Sequence, residues 1–270
     1  MALKVNPTMY QTANVVAVIV ALVMNSLVNI LPLNGVTTGR VSDFYPNLFT
    51  PPGYVFSIWS VIYILAFAFM IYQVRPSQRS ESYLTQIGYF YLISAVANIS
   101  WLFIFHYSYG VSILLVVSLI PMIVLILCLL TIYQRLGVGR QEVSMNQKLA
   151  VHLHFSVYLG WISLAIIANI ASVLNVLIPG IPESTQALGT AAVIFVALLI
   201  SANMVVVRRD FAFCLVIIWA SIGIALNRIA VPIIFSASVA TIVILFTLIL
   251  LVPFLKKRNI VDFYMVRGKG

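Results

Sequence analysis

Charge is scarce in this chain. Of 270 residues only 6 are acidic and 15 are lysine or arginine, so charged residues make up 8% against 63% hydrophobic. That leaves too little polar surface to cover a water-soluble globule, which excludes the soluble classes. Cysteine is scarce as well: Cys128 and Cys214 both fall within apolar stretches, which excludes a disulfide framework and leaves two small buried thiols. No H-x-x-x-H, C-x-x-C, G-x-S-x-G or phosphate-cradling glycine loop occurs, and no carboxylate lies inside an apolar stretch. Metal hydrolysis, nucleophile-elbow chemistry, nucleotide binding by a glycine loop and carboxylate-driven proton coupling therefore lack their side chains. His152 and His154 are two apart and diverge by about 200° on a helix, so they cannot grip one metal together and read as residues at the interfacial end of a helix. His106, at the other end of a different apolar stretch, is a weaker candidate for an axial ligand.

Apolar length is abundant. Runs long enough to span a bilayer cover residues 10–33, 53–74, 87–107, 110–133, 149–174, 188–207, 211–227 and 229–255. The expected fold class is therefore all-α, a polytopic membrane helix bundle of about eight transmembrane helices. The seventh run is the shortest, about 25 Å at 1.5 Å per residue, close to the minimum for a hydrocarbon core of roughly 30 Å. The first run is too long for a secretory signal core and lacks a small-residue cleavage site before Asn34, so it reads as a retained helix.

The net charge of +9 is sorted by loop. With eight spans, one side carries Lys4, Arg75, Arg79, Arg135, Arg140, Lys148, Arg208, Arg209, Lys256, Lys257, Arg258, Arg267 and Lys269, and the other only Arg40 and Arg228. This asymmetry is the way topology is written in membrane proteins, and it places both termini in the cytoplasm. It also argues against nucleic acid as a partner, since the basic residues do not gather on one surface.

Three stretches interrupt the aliphatic background: Pro51-Pro52-Gly53-Tyr54-Val55-Phe56-Ser57-Ile58-Trp59-Ser60-Val61-Ile62-Tyr63, Asn98-Ile99-Ser100-Trp101, and Tyr158-Leu159-Gly160-Trp161 with Asn169 eight residues on. Trp59 and Tyr63, Asn98 and Trp101, and Trp161 and Asn169 each fall within roughly 80° of each other on a helix. Aromatic faces with one or two amides are what a flat, largely apolar ligand needs for stacking and orientation. Tyr54, Trp59, Tyr63, Asn98, Trp101, Trp161 and Asn169 form the candidate ligand-binding set. Taken singly, each has a plainer reading, as an interfacial aromatic or a helix-packing amide.

In order and spacing these stretches resemble the TspO/MBR family, the tryptophan-rich sensory proteins that include the mitochondrial translocator protein. The family pattern is a proline-led P-x-x-x-F-x-x-W-x-x-x-Y second helix, an N-x-x-W third helix and a Y-L-x-W-x-x-x-x-x-x-x-N fifth helix, and the similarity covers about residues 10–175. The chain departs from it in three ways: Tyr54 stands where many members have Trp, the aromatic pair after the third-helix Trp is spaced out as Phe103 and Phe105, and about 95 residues follow. The resemblance implies a five-helix transmembrane bundle over residues 1–178, followed at 179–270 by a three-helix extension with a basic cytoplasmic tail. It implies binding of tetrapyrroles such as protoporphyrin or haem, or of similar flat lipophilic molecules, by a sensor or transporter. Some bacterial members degrade porphyrin photo-oxidatively, so enzymatic activity stays open, and the residues themselves offer no catalytic group. The expected partners are the lipid bilayer and a lipophilic small molecule, with a homodimer left open, and the expected location is the cell membrane. The alternatives are a secondary transporter or channel-like protein for an unrelated small molecule, completed by the added helices, and an assembly subunit of a membrane complex.

Four further features carry expectations. The connection at 34–52, rich in Gly and Pro, folds over the cavity mouth in the resembled family, and Thr37, Thr38, Ser42 and Asp43 are candidate helix caps. The connections at 75–86 and 134–147 look like ordinary solvated loops. Asn14, Asn25 and Asn29 share one stripe of the first helix, suited to helix packing or to the cavity wall. Finally, Trp161-Ile162-Ser163-Leu164-Ala165-Ile166-Ile167-Ala168-Asn169 is echoed by Trp219-Ala220-Ser221-Ile222-Gly223-Ile224-Ala225-Leu226-Asn227, followed by Arg228, a cation read as snorkelling, paired with Glu183, or facing an anionic ligand.

Overall fold

Without water to pair the backbone, an apolar chain must close its hydrogen bonds within each segment, and helices are the result. The computed structural model describes residues 7–31 and 33–264. Its body is eight helices: α1 (Pro7–Ile30), α2 (Ile58–Gln73), α3 (Phe90–Tyr107), α4 (Leu119–Arg135), α5 (Leu153–Leu177), α6 (Glu183–Arg208), α7 (Phe211–Asn227) and α8 (Pro232–Leu255). Lys4, Arg267, Lys269 and the side chain of Asn29 lie outside the described residues.

Among the described residues, seven helical stretches are long and apolar enough to cross a membrane, and α7, with 17 residues, is shorter than those. Contacts at its two ends show that it nevertheless traverses the molecule. Asp210, just before α7, accepts hydrogen bonds from Ser156 at 2.6 Å and Tyr133 at 2.7 Å, near the end that carries most of the arginines and lysines. Arg228, just after α7, donates to the carbonyls of Leu48 and Asn47 in the long connection at the opposite end. Most of α7 is buried against other helices, from Ala212 to Ala225, so its length is set by protein neighbours more than by lipid thickness.

The first five helices close a ring in the order α1, α2, α5, α4, α3, with α3 returning to α1. Helices α6, α7 and α8 pack on one another, and α7 joins them to the outer side of α5. Gly160 makes that join possible: a Cβ there would lie 3.2 Å from Cβ of Val216 on α7. One core cluster runs from Val18 on α1 through Phe155 on α5 to Cys214 on α7 and Leu245 on α8, so apolar packing is continuous across both groups.

Two helices are interrupted for visible reasons. A short helix, Ser112–Val117, precedes α4 with a break at Ser118, because the ring of Pro121 clashes with the carbonyl four residues earlier and supplies no N–H. A π turn at Lys148–His152 opens α5. Three expectations are corrected. Within the 75–86 connection, Ser82–Ile87 is helical and Tyr83 and Leu84 are fully buried, because their apolar rings and branches find room beneath α1 and α4. In the 134–147 connection, Leu136 and Val138 are likewise buried. His152 and His154 are not interfacial: both are at most 2% exposed, turned inward where the extension and the ring cover α5.

Candidate ligand cavity

The loop end of the ring is closed by the 34–52 connection, which is fastened residue by residue. Thr37 caps the short helix Thr38–Phe44 by accepting from the Arg40 amide at 3.3 Å. His106 is occupied by this loop and by its own helix, with Nδ1 2.7 Å from the Leu102 carbonyl and Nε2 3.2 Å from the Thr38 hydroxyl, so it is a structural residue. The Tyr45 hydroxyl donates to the Ser108 carbonyl. The Asn47 side chain accepts from the Phe49 and Thr50 amides at 2.9 and 2.8 Å, making a turn, and donates to Ser172 on α5 at 2.9 Å. Arg228 then grips the same turn from the extension, with Nε 3.1 Å from the Leu48 carbonyl and Nη2 2.7 Å from the Asn47 carbonyl. Partial burial lowers the pKa of this guanidinium, and the Glu183 carboxylate pulls it the other way.

Beneath this lid lies a cavity of about 70 Å³, walled by Phe49, Thr50 and Pro51 of the lid, by Phe56, Trp59, Trp101, Phe105 and Trp161 of the ring, and by Leu164, Ala168, Asn169 and Ser172 along α5. The rings form one aromatic shell. Trp59 meets Trp161 edge to face at 6.3 Å, Phe56 meets Trp161 at 5.6 Å, and Trp101 stacks on Phe105 at 4.8 Å. Two indole groups are left incomplete: Nε1 of Trp101 and Nε1 of Trp161 are buried with no acceptor among the described residues. A buried donor without a partner costs free energy, so a ligand atom that accepts from it gains accordingly. A more open cleft of about 380 Å³ adjoins the cavity between α1, α2 and α3, sharing Thr38, Phe56, Trp59 and Trp101 as a partition.

The sequence-predicted residues divide. Trp59, Trp101, Trp161 and Asn169 line the cavity. Asn169 has a prior commitment there, bonded to Ser118 at 3.0 Å where α4 is broken. Tyr63 stacks on Trp59 at 5.6 Å and faces the open cleft instead. Asn98 sits deeper, in a separate void of about 20 Å³, where its carbonyl accepts from Asn25 at 2.8 Å while its Nδ2 has no partner among the described residues. Asn14, on the same stripe as Asn25, is fully buried with neither side-chain atom partnered among the described residues. Tyr54 lines none of these spaces: it is half exposed and packs edge to face on Trp219 at 6.0 Å.

The extension contributes wall residues that no motif announced, Ala220 and Ile224 of α7. They reach the cavity because α7 crosses the start of α2 at minimal distance. A Cβ on Gly223 would lie 2.3 Å from the Val55 side chain, and the Trp219 indole donates to the Val55 carbonyl at 3.0 Å. The echo between α5 and α7 is thus unequal in use: Trp161 faces the cavity, Trp219 holds the turn behind it, and Asn227 is exposed at a helix end whereas Asn169 is buried.

Among the described residues, the cavity walls contain no histidine, cysteine or methionine. No curated protein and no solved structure matches the chain. The sequence model of the family described as TSPO-like protein matches residues 11–251, a span that takes in the ring, the lid and the three C-terminal helices together. With seven long apolar helices, this multi-pass membrane protein belongs to the TSPO-like family.

Proposed function

We propose that this protein binds flat, largely apolar molecules of the tetrapyrrole class, such as protoporphyrin or haem, within the membrane, as a sensor or carrier. One observation carries the reading: Trp59, Trp101 and Trp161 wall a single cavity, and two of the three indoles have buried N–H donors without acceptors among the described residues. A porphyrin offers such a site an extended π face, which can stack on the aromatic rings and accept an indole N–H. The cavity alone is smaller than a macrocycle, but the adjoining cleft reaches the size of small-molecule sites, and the side chains of Thr38, Phe56, Trp59 and Trp101 line both. Recognition would rest on the ring and not on a metal, so protoporphyrin and haem should bind with similar affinity.

The test is titration of the purified, detergent-solubilised full chain with each compound, followed by absorbance and by tryptophan emission. Saturable binding with matched quenching supports the reading, and linear, non-saturating quenching overturns it. The orientation proposed with it puts both termini and the basic end in the cytoplasm, so that the lid faces the opposite side.

A further inference from the structure

Behind the lid, on the loop end, is a second space of about 420 Å³ between Tyr45, Asn47, Ser172, Asn175, Gln186 and Arg228. The same turn lines both spaces, with Asn47 and Leu48 here and Phe49, Thr50 and Pro51 on the aromatic cavity, and Ser172 stands in the walls of both. Most of its polar groups are already engaged: Asn175 donates to the Pro46 carbonyl at 3.0 Å, and Gln186 both accepts from Asn175 at 3.2 Å and donates to the Ile181 carbonyl at 3.0 Å. Arg228 is the exception. A guanidinium carries five N–H donors, and the carbonyls of Leu48 and Asn47 engage two; the others have no partner among the described residues. Glu183 attracts Arg228 electrostatically without lining the space.

Resting on the reading that the aromatic cavity holds a flat ligand, we propose that this cleft is an acid-recognition subsite in which Arg228 binds a carboxylate carried by that ligand, making the preferred substrates amphipathic organic acids. The argument is one of placement. A carboxylate cannot be left in hydrocarbon, so an acid whose apolar body occupies the cavity must put its charged group at an end of the bundle, beside a cation. At the lid end the sequence provides Arg40 and Arg228 alone. Arg40 is exposed and lies over the Tyr109 ring at 5.8 Å, and it lines neither space. Arg228 is held by its two carbonyl bonds, so its remaining donors meet a carboxylate with little further loss of side-chain freedom. The extension thereby has a chemical part in recognition as well as a place in the wall.

Protoporphyrin and its dimethyl ester differ only in the acid groups, and comparing their affinities for wild-type full chain and for Arg228→Gln cancels the partition of either compound into detergent. The acid-to-ester affinity ratio should fall about tenfold in Arg228→Gln, as expected for loss of one charge-assisted contact, because loss of the lid bonds to Leu48 and Asn47 weakens acid and ester alike and cancels in the ratio. An unchanged ratio overturns the proposal, and so does an equal loss for acid and ester, which would make Arg228 only a fastener of the lid. If Arg228→Gln does not fold, Arg228→Met, which keeps the apolar stem, serves for the same comparison. Failure of the wild-type chain to bind either compound would instead overturn the tetrapyrrole reading itself.

Discussion

Trp161 and Trp219 occupy matching places in two similar helical segments, yet their surroundings set them different tasks. Trp161 is 3% exposed, lines the cavity beside Trp59 and Phe56, and has a buried N–H with no acceptor among the described residues; the N–H of Trp219 is already bonded to the Val55 carbonyl. Trp161→Phe should therefore weaken porphyrin binding by about threefold or more, the scale of one aromatic and hydrogen-bonding contact, whereas Trp219→Phe should change it by less than about twofold. Saturable quenching titrations on the two variants decide this, and equal losses would mean that the N–H of Trp161 has no part in binding. The tryptophans and Asn169 were legible as an inward set because aromatic and amide groups stand out against an aliphatic helix. Tyr54 was not, because it precedes α2 in the turn Gly53–Ser57, where helical periodicity does not predict direction.

At the scale of elements, the contact between α7 and that turn decides where the cavity wall runs. Gly223 lies against Val55, Pro51 and Pro52, and any side chain there would overlap Val55. Gly223→Ala should destabilise the protein by about 1–3 kcal/mol, the cost of overpacking a filled interface, and Val55→Ala in the same chain should recover much of the loss. Thermal unfolding in detergent measures both, and a Gly223→Ala protein as stable as wild type would show that the two elements do not meet this closely. The interruption of α4 at Ser118 has its cause written in Pro121, and the Asn169 bond to Ser118 exploits it. In the 75–86 connection, charge suggested a solvated loop, but the flanking arginines and serines masked Tyr83 and Leu84, which a six-residue helix buries.

For the whole molecule, the five-helix ring and the three-helix group are joined by a continuous core and share the cavity through Ala220 and Ile224. A chain ending near Ala187 should consequently lose saturable porphyrin binding even where circular dichroism shows that its helices persist. Retained affinity in a folded truncation would show that the ring suffices. Orientation has its own measurement. In intact cells an impermeant thiol reagent should not label Ser77→Cys, which lies in an exposed or half-exposed turn at the basic end, and labelling from outside would reverse the proposed topology.

By itself the sequence determined that this is a helical membrane protein, where most helices begin and end, and which tryptophans turn inward, because hydrophobic length and helical periodicity are local properties of a chain in lipid. The bounds of α7 follow from the apolar run between Asp210 and Arg228, although its length alone left its crossing uncertain. Tertiary structure alone decided that α7 packs on the outer side of α5, that Ala220 and Ile224 complete an aromatic cavity, and that Arg228 holds the Asn47 turn from 181 residues away. The reason is physical: small and aliphatic residues carry no directional signal, and a hydrogen bond to a backbone carbonyl leaves no trace in the identity of the residue that accepts it.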